Sequence, residues 1–211
     1  MSEVPTDDAG DSGNDNNDES ECSSPDEHNT DLLAGGPLAN HLPTPLLAGA
    51  LRLDIRPEEC NSFFDYHSPI ARGSAIEDAV ALHEDYATAT PTVQWFPSID
   101  FTRDGTAIVQ VSRDLTAATY INNPAILHRL LLEEADNLQD NFITPLETTG
   151  FVTAEDNADS TTIAQSEVSA YRIELIVQQG RMTAPQSEAI RQAAIELASA
   201  YGITLQVIEI P

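Results

Sequence analysis

The sequence predicts an α+β domain, a two-layer sandwich of split βαβ, ferredoxin-like topology extended by a C-terminal αβ unit and preceded by a disordered acidic tail. Three observations carry this expectation. Short alternating apolar runs interleave with helical periodicities from Leu51 onward. Asp104-Gly105 lies between two such runs, a strong hairpin signature. The C-terminal stretch reads strand, helix, strand with short joins, the pattern of a crossover unit.

Residues 1–31 hold eleven acids and no base, and cannot bury enough apolar surface to offset ordering entropy. They are expected to be a disordered tail. Residues 32–48 (LLAGGPLANHLPTPLLA) form a Leu/Pro-rich strap or linker in which prolines favour extended backbone. Leu32, Leu33, Leu38, Leu42, Leu46 and Leu47 are its candidate docking anchors for a partner protein. Its glycines and prolines argue against a membrane-spanning helix.

Residues 49–211 are read as a single α/β domain. Leu51, Leu53 and Ile55 share one face of a first strand. Ser74 to Glu77 reads as a capping box opening a helix to about Tyr86. Val93 to Phe101 and Ala107 to Ser112 are the arms of the Asp104-Gly105 hairpin. Asn123-Pro124 starts a helix whose Leu127, Leu131, Leu138 and Phe142 recur at helical spacing. Residues 143–168 lack a sustained period and are expected as a flexible loop. Tyr171, Ile173, Leu175 and Val177 then alternate, a helix opens at Thr183-Ala184-Pro185, and Ile203, Leu205 and Val207 form the last strand.

The composition narrows the chemistry. There is no lysine, and 35 acids face nine arginines, for a net charge of −26. Walker-A loops, protein kinases, pyridoxal enzymes and Ser-Lys hydrolases are therefore closed. The excess of carboxylates suggests adaptation to concentrated salt, which screens self-repulsion. On that ground the chain is expected to come from a hypersaline microbe, archaeal by habit, or its virus. Two cysteines without a CxxC fit a cytoplasmic location, or a virion-associated one.

No complete catalytic constellation is legible. The leading expectation is a non-catalytic accessory or assembly protein that binds another protein or itself, with no resident cofactor. The alternative is a metal-dependent enzyme or anionic-ligand sensor. Glu58, Glu59, Asp65 and His67 follow the first strand closely and suit a divalent metal. Arg52, Arg56 and Arg72 gather a third of the positive charge and suit a phosphate or carboxylate clamp. A second alternative is an acidic transcription or replication regulator. Nucleic acid is disfavoured as a partner, because the arginines are few and dispersed and backbone recognition draws on basic contacts.

Overall fold

A computed structural model of the chain describes residues 50–58, 60–66, 68–93, 96–156 and 159–211. The acidic tail and the strap with its six leucines lie outside the described residues. Among the described residues, no helix is long and apolar enough to cross a membrane.

The fold is α+β, built on one mixed, curled sheet of six strands in the order β1-β8-β7-β4-β3-β2. These are β1 (Leu51–Arg52), β2 (Thr90–Pro91), β3 (Phe101–Arg103), β4 (Thr106–Ser112), β7 (Ala170–Gln178) and β8 (Ile203–Ile210). The strands β4, β7, β8 and β1 run parallel, and β3 and β2 add antiparallel beside β4. The expected ferredoxin-like topology is therefore corrected: the centre of the sheet is parallel. Parallel neighbours need long crossovers and covered faces. The first crossover, between β4 and β7, carries α2 (Ala118–Asn122), α3 (Ala125–Leu138) and α4 (Thr144–Thr149). The second is α5 (Ala184–Glu196), between β7 and β8.

Helices flank both faces of the sheet, so the two-layer expectation is corrected as well. One core joins Leu127, Leu131 and Leu138 of α3 and Ile190 of α5 to Val109, Val111, Ile173, Leu175 and Val207. The other sets Ile76 and Val80 of α1 (Pro69–Ala81) against Ile176, Ile208 and Ile210, with Leu53, Phe63 and Phe64. Residues Ile173 to Val177 are all buried for this reason.

The helix α1 starts earlier than its sequence reading. Ser68 caps it, its hydroxyl accepting from Ala71 N, and Pro69 fills the first turn. Ser74 to Glu77 is thus helix interior, which places Arg72 and Glu77 on one helix. The first strand is shorter than expected, but Leu53 N still bonds Glu209 O at 3.1 Å. The Asp104-Gly105 hairpin forms with φ of 50° and 75° at its two turn residues.

The span 143–168, expected as a flexible loop, instead holds α4 and a separate hairpin of β5 (Phe151–Asp156) and β6 (Asp159–Ala164). A left-handed Gly150 (φ 84°) ends α4 and redirects the chain. Val152 and Ile163 sink into the main core, and the Thr161 hydroxyl accepts from Val93 N at 3.0 Å.

A candidate carboxylate and arginine site beneath helix α1

On a strand, residues two apart share a face. Gln110 and Ser112 of β4 therefore share the face that α1 covers, since α1 packs against β4. Asp100, just before β3, meets the same region: Gln110 N donates to its Oδ2 at 2.5 Å. Glu77 lies on α1 close enough to Asp100 for the Asp100 charge to make ionising Glu77 harder.

Both carboxyls are displaced from the usual acidic range. Burial, with Asp100 and then Asp78 adding to it, pushes Glu77 up to about 7. Burial pushes Asp100 up to about 6; the Gln110 N–H opposes this, and Glu134 and Glu174 reinforce it. Two hard oxygen groups are thus held together with too little positive charge between them.

The nearby cations are arginines. Arg72 Nε donates to Ser112 Oγ at 3.4 Å, and its guanidinium lies 5.6 Å from the Phe64 ring centre. Burial lowers its pKa from the ordinary value, Asp114 opposes that, and Arg113 adds to it. Arg113, next to Ser112, donates to Ser112 O and to Glu134 Oε1 of α3, each at 2.9 Å. The two guanidiniums stand near each other where β4 ends. A third group lies deeper: the Glu174 carboxylate of β7 accepts from Tyr86 OH at 2.5 Å and from Gln110 Nε2 at 2.9 Å. Gln110 Oε1 is buried and has no hydrogen-bond partner.

This donor set fits a hard divalent cation. Magnesium-like ions are commonly held by one or two carboxylates and complete their shell with water and substrate phosphate. Glu77, Asp100 and the orphaned Gln110 Oε1 supply that kind of oxygen. Among the described residues, no three His, Cys, Asp or Glu side chains converge into an all-protein metal cage.

Of the residues singled out from sequence, the described ones fall elsewhere, with one exception. Arg52 pairs with Glu209 at 2.9 Å, and Arg56 lies 3.8 Å from Asp54, both at exposed positions. Glu58 is exposed. Asp65 Oδ2 accepts from Ser62 N at 3.0 Å, completing a local cap. Glu59 and His67 lie outside the described residues. Cys60 is disulfide-bonded and so offers no thiolate nucleophile. Arg72 is the one that lies close by, bonded to Ser112 on the face of β4 that carries Gln110 and near Arg113. Glu77, Asp100, Gln110, Arg113, Glu134 and Glu174 do not stand out as a group in the sequence, because five separate stretches of chain supply them.

The family described as the CDI toxin restriction endonuclease-like domain matches residues 72–208. A solved chain is also similar, described as the CdiA-CT/CdiI toxin and immunity complex from Yersinia pseudotuberculosis. It has 18% identity, covers 64% of this chain and 98% of that one, and has a TM-score of 0.45. No curated protein matches. The family match overturns the expectation of a non-catalytic accessory protein, and with it the reading that the chain is not an enzyme. It also reverses the exclusion of nucleic acid as a partner. Nothing in the family match supports the expected hypersaline, archaeal or viral source.

Proposed function

Because the chain belongs to the CDI toxin restriction endonuclease-like domain family, we propose that it is a toxic nuclease acting at the Glu77–Asp100 cluster. The observation that carries this reading is the span of the match. It begins at Arg72 and takes in every residue of the cluster described above.

The substrate is the phosphodiester backbone of nucleic acid, and the reaction is hydrolysis. Glu77, Asp100 and Gln110 Oε1 would hold a divalent cation. Bound there, it supplies charge compensation for the phosphate and lowers the pKa of water. The protein's own part is placement and charge. The Gln110 N–H holds Asp100 Oδ2, and the carboxylate so oriented would face the ion. Arg72 and Arg113 stand at the end of β4, where their guanidinium groups would pair with phosphate oxygens and offset the charge that grows on them during displacement. Ser112 Oγ and Glu134 fix the two side chains beforehand, so little ordering remains when substrate arrives. A chain without lysine has only guanidinium for this work.

A nuclease toxin also implies a protein partner in the cell that makes it. That partner is an inhibitor, comparable to the immunity protein named with the Yersinia chain.

The test is incubation of the purified chain with plasmid DNA and with RNA in millimolar Mg2+ or Mn2+. Cleavage of one or both polymers is expected, and a chelator should stop it. Intact polymers under all ions tested would contradict the proposal.

A further inference from the structure

The core face of β7 contains one residue that stability alone does not call for. Glu174 is 1% exposed and lies among Ile173, Leu175, Ile176 and Val177, all buried. A carboxylate there costs several kcal/mol of desolvation unless paired, and an apolar residue of similar volume is often as stable or more so. Its pairing is lopsided. Tyr86 OH and Gln110 Nε2 both donate to Oε2, while the nearest cation, Arg172, is 3.7 Å from Oε1.

The consequence falls on Gln110, directly across the sheet from Glu174 in register. A side-chain amide has a donor end and an acceptor end, and only the donor end can face a carboxylate. Glu174 therefore fixes the rotation of the Gln110 amide, with Nε2 inward and Oε1 turned away from Glu174. That oxygen is the buried acceptor without a donor. Gln110 also carries the N–H that holds Asp100 Oδ2. One residue thus links the buried carboxylate to the metal-ligand candidates, through its side chain on one side and its main chain on the other.

We propose that Glu174 is a positioning residue of the nuclease site, locking Gln110 so that an oxygen rather than an N–H is offered to the divalent cation. This rests on the nuclease reading above. Tyr86 completes the device by occupying the same Glu174 oxygen. Without Glu174, the Tyr86 hydroxyl is free to donate to Gln110 Oε1 and take it from the ion.

The experiment is Mn2+ binding to the full chain without nucleic acid, followed by calorimetry. The variants are Glu174→Gln, Glu174→Met, Gln110→Met and the pair Glu174→Met with Tyr86→Phe. Residues that orient metal ligands are commonly worth about 10–100-fold in metal affinity. E174M is expected to weaken Mn2+ binding at least about tenfold, and Q110M by a similar factor. E174Q keeps one oxygen that accepts from both donors, although its own NH2 can also face Gln110, and should lose less affinity than E174M. Adding Y86F to E174M should recover part of the loss, a rescue that general destabilisation cannot produce. Should E174M prove unfolded, E174Q and Q110M still decide: equal affinity of Q110M and the parent overturns the proposal. Equal losses in E174Q and E174M overturn it too, since charge rather than orientation would then be at work. A parent chain that binds no Mn2+ sinks the metal reading itself, whereas a binding parent with unaffected E174M sinks only the positioning role.

Discussion

Glu77 and Asp100 are the residues on which the proposed chemistry turns, and the fold holds both closer to their protonated forms than water would. Their carboxyls are raised to about 7 and about 6 by burial first and by neighbouring acids second. A carboxyl raised on folding lends stability at low pH and loses it as pH climbs through the raised value. The metal-free chain should therefore melt at a lower temperature near pH 8 than near pH 5. Glu188, lowered to about 2 by Arg191, acts in the opposite sense, but its contribution is complete before that window opens. A divalent cation can take the place of the lost protons. Added Mn2+ should raise the melting temperature more near pH 8 than near pH 5, and Glu77→Gln should flatten the upper part of the pH slope. Thermal melts across pH with and without Mn2+ check both. Arg72 has an equally specific role. Arg72→Lys keeps the charge and loses the Nε bond to Ser112, so it is not a conservative change. Loss of one preorganised donor to a transition state costs about 10²–10³ in kcat. Single-turnover cleavage by Arg72→Lys should fall into that range while its melting temperature stays near the parent's.

The elements that place these residues are secured from behind. Leu138 ends α3 fully buried, and the helix runs on through a wider turn at Gln139–Ile143 into α4. Leu138→Ala should cost about 2–5 kcal/mol of stability, measured by denaturant unfolding. Much of this layer was legible in the sequence. The Asp104-Gly105 hairpin, the α3 stripe and the C-terminal strand–helix–strand are carried by local patterns, and local patterns survive without tertiary information. The errors came where tertiary packing decides. Tyr171 to Val177 was read as simple alternation, which hid the adjacent Ile176 and Val177, the mark of a strand covered on both faces. Ser74 to Glu77 looked like a cap, although Ser68-Pro69 carries the stronger start signal. That slip placed Glu77 at a helix end instead of over the sheet. Residues 151–164 are rich in Thr, Ala and acids, so their hairpin is held mainly by Val152 and Ile163, too sparse to register as a strand pattern. The site itself was nearly invisible, since Asp100 meets Gln110 through a hairpin and Glu174 meets Gln110 through a parallel pairing of residues sixty-four apart in sequence.

At the scale of the whole molecule, the proposed function has a chain of net charge −26 acting on a polyanion. Broad electrostatic attraction is unavailable to it, and affinity must be concentrated at the ion and at Arg72 and Arg113. Each phosphate neutralised by a basic side chain adds about −0.9 to the log–log salt slope for duplex DNA. Two such contacts give a slope no steeper than about −2, well short of that of a basic nuclease making many phosphate contacts. Binding titrations of a catalytically silent variant across a salt series would measure it. The few, dispersed arginines are why the sequence argued against nucleic acid: their linear spacing hides that Arg72 and Arg113 come together, and on the proposed reading the reaction depends on a few groups gathered beneath one helix. The most direct measurement is cleavage of nucleic acid in Mn2+ by the parent chain and by Asp100→Asn, each shown by its melting curve to be folded. The account predicts cleavage by the parent and none by the variant. A folded Asp100→Asn that cuts as fast as the parent would contradict it.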